Sequence, residues 1–163
     1  MATIELDLKT AIELFVAEFS VFEKHFVGVA LRSLSSDMSF VGHAERLLDL
    51  EARLTLLKRM AIVRRVDPEL IVQLEDVQLR AANLREKRDE LSQVLDLLAA
   101  DKRASRVNRN RTAQDDCDFD GIVPRPHRAW VPTVGEIDEC RKVTNRLQTK
   151  LGSIAAQFNR GTS

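Results

Sequence analysis

The sequence predicts an all-α fold, an up-down bundle of four helices with a long irregular insert before the last one. Apolar residues recur at steps of three and four along four separate stretches, and two of these stretches begin at helix-capping signals. The 163 residues, 44% hydrophobic and 31% charged, are enough for one domain with a substantial core. We therefore expect a single helical domain over residues 1–163.

The first two helices are predicted over residues 4–34 and 40–66, the first with an apolar stripe rich in phenylalanine. A turn signal at residues 35–39 separates them. Because this turn is short, we expect the two helices to pack as antiparallel neighbours. The charged residues of the second helix, including Arg53, mix both signs and are expected on a solvated outer face.

The third helix is predicted over residues 68–100, with Asp67 as its N-cap and Pro68 as its first residue. Its apolar stripe is interrupted by Arg88. An unpaired buried charge is expensive, so Arg88 must pair with a carboxylate, line a wet cleft or meet a partner chain. Arg85 and Ser92 lie one turn to either side on the same face, where the three side chains would suit a phosphate or carboxylate.

Residues 101–132 form the predicted irregular insert, since a basic run, an acidic run and three prolines replace the helical periodicity. The fourth helix is predicted over residues 134–158. Thr133 as N-cap and Glu136 three residues later make the capping box that starts it. Cys140 falls on the core-facing stripe of this helix, which favours a small inert thiol.

Several classes of function find no support in the composition. Lys plus Arg equals Asp plus Glu, so no overall charge excess indicates nucleic acid or an anionic membrane. No apolar run approaches the length of a membrane span and no secretion signal is evident, so we expect a cytoplasmic location. The two cysteines, Cys117 and Cys140, do not make a zinc site, and residues 116–121 copy only the first half of a calcium loop, whose twelfth position is His127. We predict neither metal nor cofactor.

The helical order and the stretch from Leu84 to Gln93 together resemble the HEPN (higher eukaryotes and prokaryotes nucleotide-binding) superfamily, in particular its small bacterial members. These carry two antiparallel helices, a long third helix ending in an arginine-polar-x-x-x-histidine motif, a variable insert and a last helix. In active members the motif serves metal-independent RNA cleavage in a cleft at a dimer interface. The resemblance implies a homodimer, with RNA, a nucleotide or a protein as its partner.

On this resemblance Arg88 matches the motif arginine, Asp89 matches its polar neighbour, and Gln93 stands at the histidine position. Glutamine cannot accept and return a proton near neutral pH, so it cannot act as the general acid or base that the histidine would supply. We therefore expect no catalysis. The arginine alone would still stabilise a phosphate. The resemblance thus implies a binding cleft without efficient chemistry.

Three hypotheses follow. The first is a catalytically degenerate HEPN-like domain that binds RNA, a nucleotide or a protein through Arg85, Arg88 and Ser92. The second is a ribonuclease toxin that retains activity through His127 or through Arg88 alone. The third is a helical interaction module in which Arg88 is a structural ion pair.

Overall fold

The computed structural model describes the backbone of residues 2–111 and 131–160 and the side chains of residues 8–100 and 131–160. All secondary structure in these ranges is helical, which confirms the all-α class. The first helix, α1, covers residues 2–34 as Ala2–Val21, a π-helical turn at Phe22–Phe26, and Val27–Leu34 without a break. The other helices are α2 (Met38–Leu47), α3 (Leu50–Val63), α4 (Pro68–Arg111) and α5 (Val134–Arg160).

The predicted second helix over residues 40–66 is wrong, because the chain breaks between α2 and α3. Leu48 and Asp49 have extended backbones, with ψ angles of 141° and 175°. The Asp49 carboxylate accepts a hydrogen bond from the Ala52 N–H at 2.9 Å and so caps α3. An aspartate within an apolar periodic stretch therefore starts a new helix here, and the described chain has five helices rather than four.

The break at Asp49 also changes the direction of the chain. The short helix α2 runs antiparallel to α1, where Arg32 pairs with Glu45 at 2.6 Å. Helix α3 then runs back parallel to α1, since its start contacts Glu23 and its end lies near Leu34. The expected antiparallel pairing of the first two helices holds only for the ten residues of α2.

Helices α3, α4 and α5 alternate in direction. Lys58 of α3 pairs with Glu75 of α4 at 3.1 Å, whereas residues nearer the start of α3 lie beside later turns of α4. Asp76 of α4 pairs with Lys150 of α5 at 2.7 Å, and the start of α5 lies near Lys87. Helix α4 is therefore antiparallel to both of these neighbours.

Helix α4 begins as predicted, with Asp67 accepting a hydrogen bond from the Glu69 N–H at 2.9 Å. It ends at Arg111, so residues 101–111 are helical, contrary to the predicted irregular insert. The apolar stripe stops near residue 98, but alanine, lysine and arginine have high helix propensity and continue the helix. The rest of the predicted insert up to residue 130 lies outside the described residues.

The capping box at the start of α5 is confirmed. The Glu136 carboxylate accepts from the Thr133 N–H at 2.7 Å, and the Thr133 hydroxyl accepts from the Glu136 N–H at 3.2 Å. Helix α5 packs against α1 and α4 around a core that includes the fully buried rings of Phe15, Phe19 and Phe22. Within the described ranges, no helix combines the length and apolar character needed to cross a membrane.

Candidate functional site

Arg88, the charged residue on the core-facing stripe of α4, is held between α4 and α1. Its Nη1 donates to Oε2 of Glu23 at 2.8 Å, and its Nε and Nη2 donate to Oδ1 of Asp89 at 3.0 and 2.8 Å. The Arg88 side chain is 21% exposed and that of Glu23 is 15% exposed. Of the environments that the sequence allowed, the structure places Arg88 in a partly buried ion pair within its own chain.

An aromatic ring supports this ion pair from the core side. The guanidinium carbon of Arg88 lies 5.5 Å from the ring centroid of Phe19, a distance typical of a cation–π contact. The Phe19 ring lies 6.0 Å from that of Phe15 and 5.8 Å from that of Phe22. Arg88 therefore covers the edge of the aromatic cluster, and its stem and guanidinium contribute packing as well as charge.

Glu23 lies in the π-helical turn of α1 and links three helices. Its carboxylate binds Arg88 of α4, and its main-chain carbonyl accepts a hydrogen bond from Nη1 of Arg53 in α3 at 2.8 Å. A π-helical turn departs from the i to i+4 hydrogen bonds of an α-helix, so a donor from another helix can satisfy a carbonyl that lacks its usual partner. The turn thus serves as an anchor point for both neighbouring helices.

The expectation that Arg53 lies on a solvated face is wrong, because this residue is only 8% exposed. The sequence did contain a signal for its burial. Arg53 shares helical spacing with Leu50, Leu54 and Leu57, all of which are buried. A long side chain whose guanidinium reaches a carbonyl on α1 makes this burial possible.

Arg85 contacts a different helix from Arg88. Its Nη1 donates to Oδ2 of Asp49 at 3.2 Å, so it joins α4 to the start of α3. The hydrogen bond from the Ala52 N–H, assisted by the Arg85 guanidinium, holds the pKa of the Asp49 carboxyl below its ordinary value. This contact is exposed to solvent, unlike the ion pair of Arg88.

The cleft beside Arg85 has an acidic character. It measures about 320 Å³, and its charged lining residues are Arg85, Glu51, Glu86 and Asp89. Three carboxylates against one guanidinium create a negative local potential, which disfavours the approach of a phosphate. Arg88 is not among the lining residues of this cleft.

The remaining predicted site residues do not converge with these arginines. The Ser92 hydroxyl donates to the Arg88 carbonyl within α4 at 2.8 Å, and Gln93 is exposed on the helix surface. The structure therefore directs Arg85 to α3, Arg88 to α1 and Ser92 to its own helix. A joint ligand-binding role for these three residues stays a prediction.

Among the residues that the structure describes, no group of three or more His, Cys, Asp and Glu side chains is arranged to hold a metal ion. The calcium-like stretch at residues 116–121, which includes Cys117, lies outside the described residues, and so does His127. Cys140 is half-buried at the edge of the core, as its position on the α5 stripe predicts. Burial raises the pKa of its thiol, which disfavours the reactive thiolate.

Comparisons of the chain with protein-family models, curated proteins and solved structures gave no match. The resemblance to the HEPN superfamily therefore stays a prediction.

Proposed function

We propose that this chain is a helical interaction module in which Arg88 stabilises the bundle, the third of the hypotheses drawn from the sequence. The observation that supports this proposal is that all three nitrogens of the Arg88 guanidinium donate to carboxylates of the same chain, at 2.8 to 3.0 Å. A phosphate would have to displace Glu23 or Asp89 to bind there. Breaking a partly buried ion pair of this kind costs more free energy than a new surface contact with phosphate would gain.

The charges around the predicted motif weigh against the HEPN-like binding cleft and the ribonuclease. Each arginine of the motif region contacts an acid, and three of the four charged residues that line the neighbouring cleft are acidic. At the position where the resemblance calls for a histidine, the exposed Gln93 offers an amide that does not titrate. Neither phosphate binding nor proton transfer is favoured by this arrangement.

The outer face of α4 offers a surface for interaction. Val72, Leu79 and Leu97 are 63%, 65% and 59% exposed, although all three are large apolar residues. Spacings of seven and eighteen residues are close to two and five helical turns, so these side chains lie along one line of the helix. An aligned row of exposed apolar side chains on a 44-residue helix suits contact with another helix.

We propose a second copy of this chain as the partner, in a two-fold contact between outer faces of α4. In an antiparallel pair centred between residues 84 and 85, Val72 of each copy would lie beside Leu97 of the other. The same alignment places Asn83 beside Glu86, so an amide would meet a carboxylate at the polar centre. The proposed contact is therefore apolar at both ends and polar in the middle, where Leu79 of each copy lies beside Glu90 of the other.

The molar mass in solution, measured by light scattering, tests this interaction. In this pair Leu79 lies beside Glu90 of the other copy, so Leu79→Glu would bring two carboxylates together, and we expect a dimer for the wild type and a monomer for this variant. The control Leu47→Glu, which changes an exposed leucine of α2 instead, should remain a dimer. A wild-type monomer, or a Leu79→Glu dimer, would contradict the proposed contact. Arg88→Glu is unsuitable for this purpose, because it would place a carboxylate against Glu23 and Asp89 within the fold.

Titration of labelled single-stranded RNA into the protein separates this proposal from the HEPN-like one. We expect neither saturable binding nor cleavage at physiological ionic strength. Specific binding or cleavage that is lost in a folded Arg88→Gln variant would reject the interaction module and support the first or second hypothesis. The circular dichroism spectrum and unfolding midpoint of that variant show whether it remains folded.

A further inference from the structure

A cleft of about 540 Å³ lies where the corner between α3 and α4 meets the last turns of α5. The buried side chains of Leu34, Leu70 and Phe158 supply its apolar part. Ser153 and Ala156 of α5 have short side chains, so they leave the space open. Its volume falls within the range of small-molecule sites, roughly 300 to 1,000 Å³.

Three arginines, Arg64, Arg65 and Arg160, are among the residues that line this cleft. All three residues are exposed, and none forms an ion pair with any carboxylate that the structure describes. Among the lining residues Asp67 is the one acid, and its carboxylate accepts a hydrogen bond from the Glu69 N–H at the start of α4. The cleft is therefore positively charged, unlike the acidic cleft beside Arg85.

The corner that presents these arginines has an unusual backbone. Arg65 has a φ of 55°, and it is the one non-glycine residue with positive φ in the described part of the chain. The Val66 N–H donates to the Ala61 carbonyl and the Arg65 N–H to the Ile62 carbonyl, both at 3.0 Å, which is the Schellman pattern of a helix end. Glycine normally occupies this left-handed position, so the arginine is held there against its own backbone preference.

A purely structural explanation is that the arginines offset the negative ends of α3 and α5. Cations near a helix C-terminus do stabilise it. That explanation accounts for the positions of Arg64 and Arg160, but glycine at position 65 would satisfy the backbone better than arginine does. It also leaves unexplained why three arginines line an open cleft that has an apolar part.

We propose that this cleft binds a small organic anion, with a carboxylate or phosphate group held by Arg64, Arg65 and Arg160 and an apolar body against Leu70 and Phe158. Guanidinium groups bind such anions through paired hydrogen bonds. The buried apolar side chains exclude water from one side of the ligand and strengthen that contact. This site is separate from the outer face of α4 that is proposed to bind a second copy.

Three probes separate the contributions of charge and apolar contact. Calorimetric titrations with phenyl phosphate, inorganic phosphate and benzyl alcohol are expected to show saturable binding at one site. We expect the affinity for phenyl phosphate to exceed that for either of the other two probes by at least tenfold. Arg65→Gly removes a guanidinium while favouring the native backbone. We expect it to weaken phenyl phosphate binding at least fivefold without lowering the unfolding midpoint.

A second variant and two controls complete the experiment. Arg160→Gln should also weaken phenyl phosphate binding, whereas Arg59→Gln, an exposed arginine of α3 outside this cleft, should not. Leu79→Glu should bind the probe normally, so failure of the proposed dimer and failure of this site are distinguishable. The proposal would be overturned if the wild type showed no saturable binding of phenyl phosphate. It would also be overturned if Arg65→Gly and Arg160→Gln both bound phenyl phosphate as tightly as the wild type does.

Discussion

Two groups of arginines differ in whether they bind other groups of the described chain. In the middle of the bundle, Arg53 and Arg88 both bind Glu23 of α1, one at its carbonyl and the other at its carboxylate. At the end of the bundle, Arg65 and Arg160 line an open cleft without an ion pair among the described residues. The middle arginines complete the contacts between helices, and those at the end are the ones we propose to bind a ligand.

This difference indicates which arginine substitutions should affect folding and which should affect binding. A partly buried charge that loses its partner carries its full desolvation penalty, so substitutions in the middle should lower stability. An exposed charge at a helix end contributes little to stability. Its substitution should alter ligand binding instead.

The largest effect is expected for Arg88→Glu, which replaces the attraction between Arg88 and Glu23 by repulsion. We expect it to lower the free energy of unfolding by about 3 kcal/mol, the usual cost of disrupting a buried ion pair. Urea unfolding followed by circular dichroism measures this change. Arg80→Glu is the matched control, because Arg80 forms an exposed pair with Asp76 and should cost less than about 1 kcal/mol. Equal losses in the two variants would contradict a structural role for Arg88.

Arg53→Met tests the second contact of the π-helical turn. The variant keeps much of the apolar stem but leaves the Glu23 carbonyl without the donor that lies 2.8 Å away. We expect a loss of about 2 kcal/mol in the free energy of unfolding, since a partly buried acceptor loses its hydrogen bond. Arg59→Met, at an exposed position of the same helix, should be nearly neutral in the same urea experiment. A neutral Arg53→Met would show that the carbonyl needs no partner.

Arg65→Gly should act in the opposite direction and stabilise the fold. Glycine adopts a φ of 55° without the penalty of a Cβ atom, so we expect a gain of about 1 kcal/mol in the free energy of unfolding. The control Arg64→Gly changes a residue with ordinary helical φ, −77°, and should not stabilise. Thermal unfolding of both variants tests the expectation. A lower midpoint for Arg65→Gly would indicate that its guanidinium supports the fold.

The smallest effect concerns the pH dependence of stability through Asp49. Because its pKa is lowered in the folded protein, the carboxylate stabilises the fold above its ordinary pKa, and this contribution is lost as the pH falls through the lowered value. Asp49→Asn keeps a good N-cap residue but does not titrate, so the loss of stability on acidification should be shallower than in the wild type. Arg85→Gln, which removes the second cause of the shift, should weaken the dependence in part. Unfolding midpoints measured from pH 6 to pH 3 compare the three proteins, and parallel curves would contradict this origin.

Local signals in the sequence predicted much of the helical structure. The caps at Asp67 and Thr133 are confirmed because each depends on a side chain and an N–H group only two or three residues apart. The Asp49 cap was missed, because the apolar periodicity of α2 and α3 continues across the break and resembles that of one helix. Periodicity reports which residues face the core, and it does not require the helix to be continuous.

The candidate site was less accessible to sequence reasoning. The stripe showed that Arg88 needs a partner, but Glu23 lies 65 residues away and only the packing of α1 against α4 identifies it. Arg64 and Arg65 were not singled out, since they fall at a helix end where periodicity carries no information. No local signal relates them to Arg160, which is far away in the sequence.

The sequence by itself determined the all-α class, the start of the last two helices and the exceptional position of Arg88, because capping and helical spacing depend on neighbouring residues. Only the tertiary structure decided the reversal of the chain at Asp49, the partner of Arg88 and the meeting of three arginines at one cleft. These features depend on the directions in which whole helices pack. Such directions follow from burial of the entire core, which no single segment specifies.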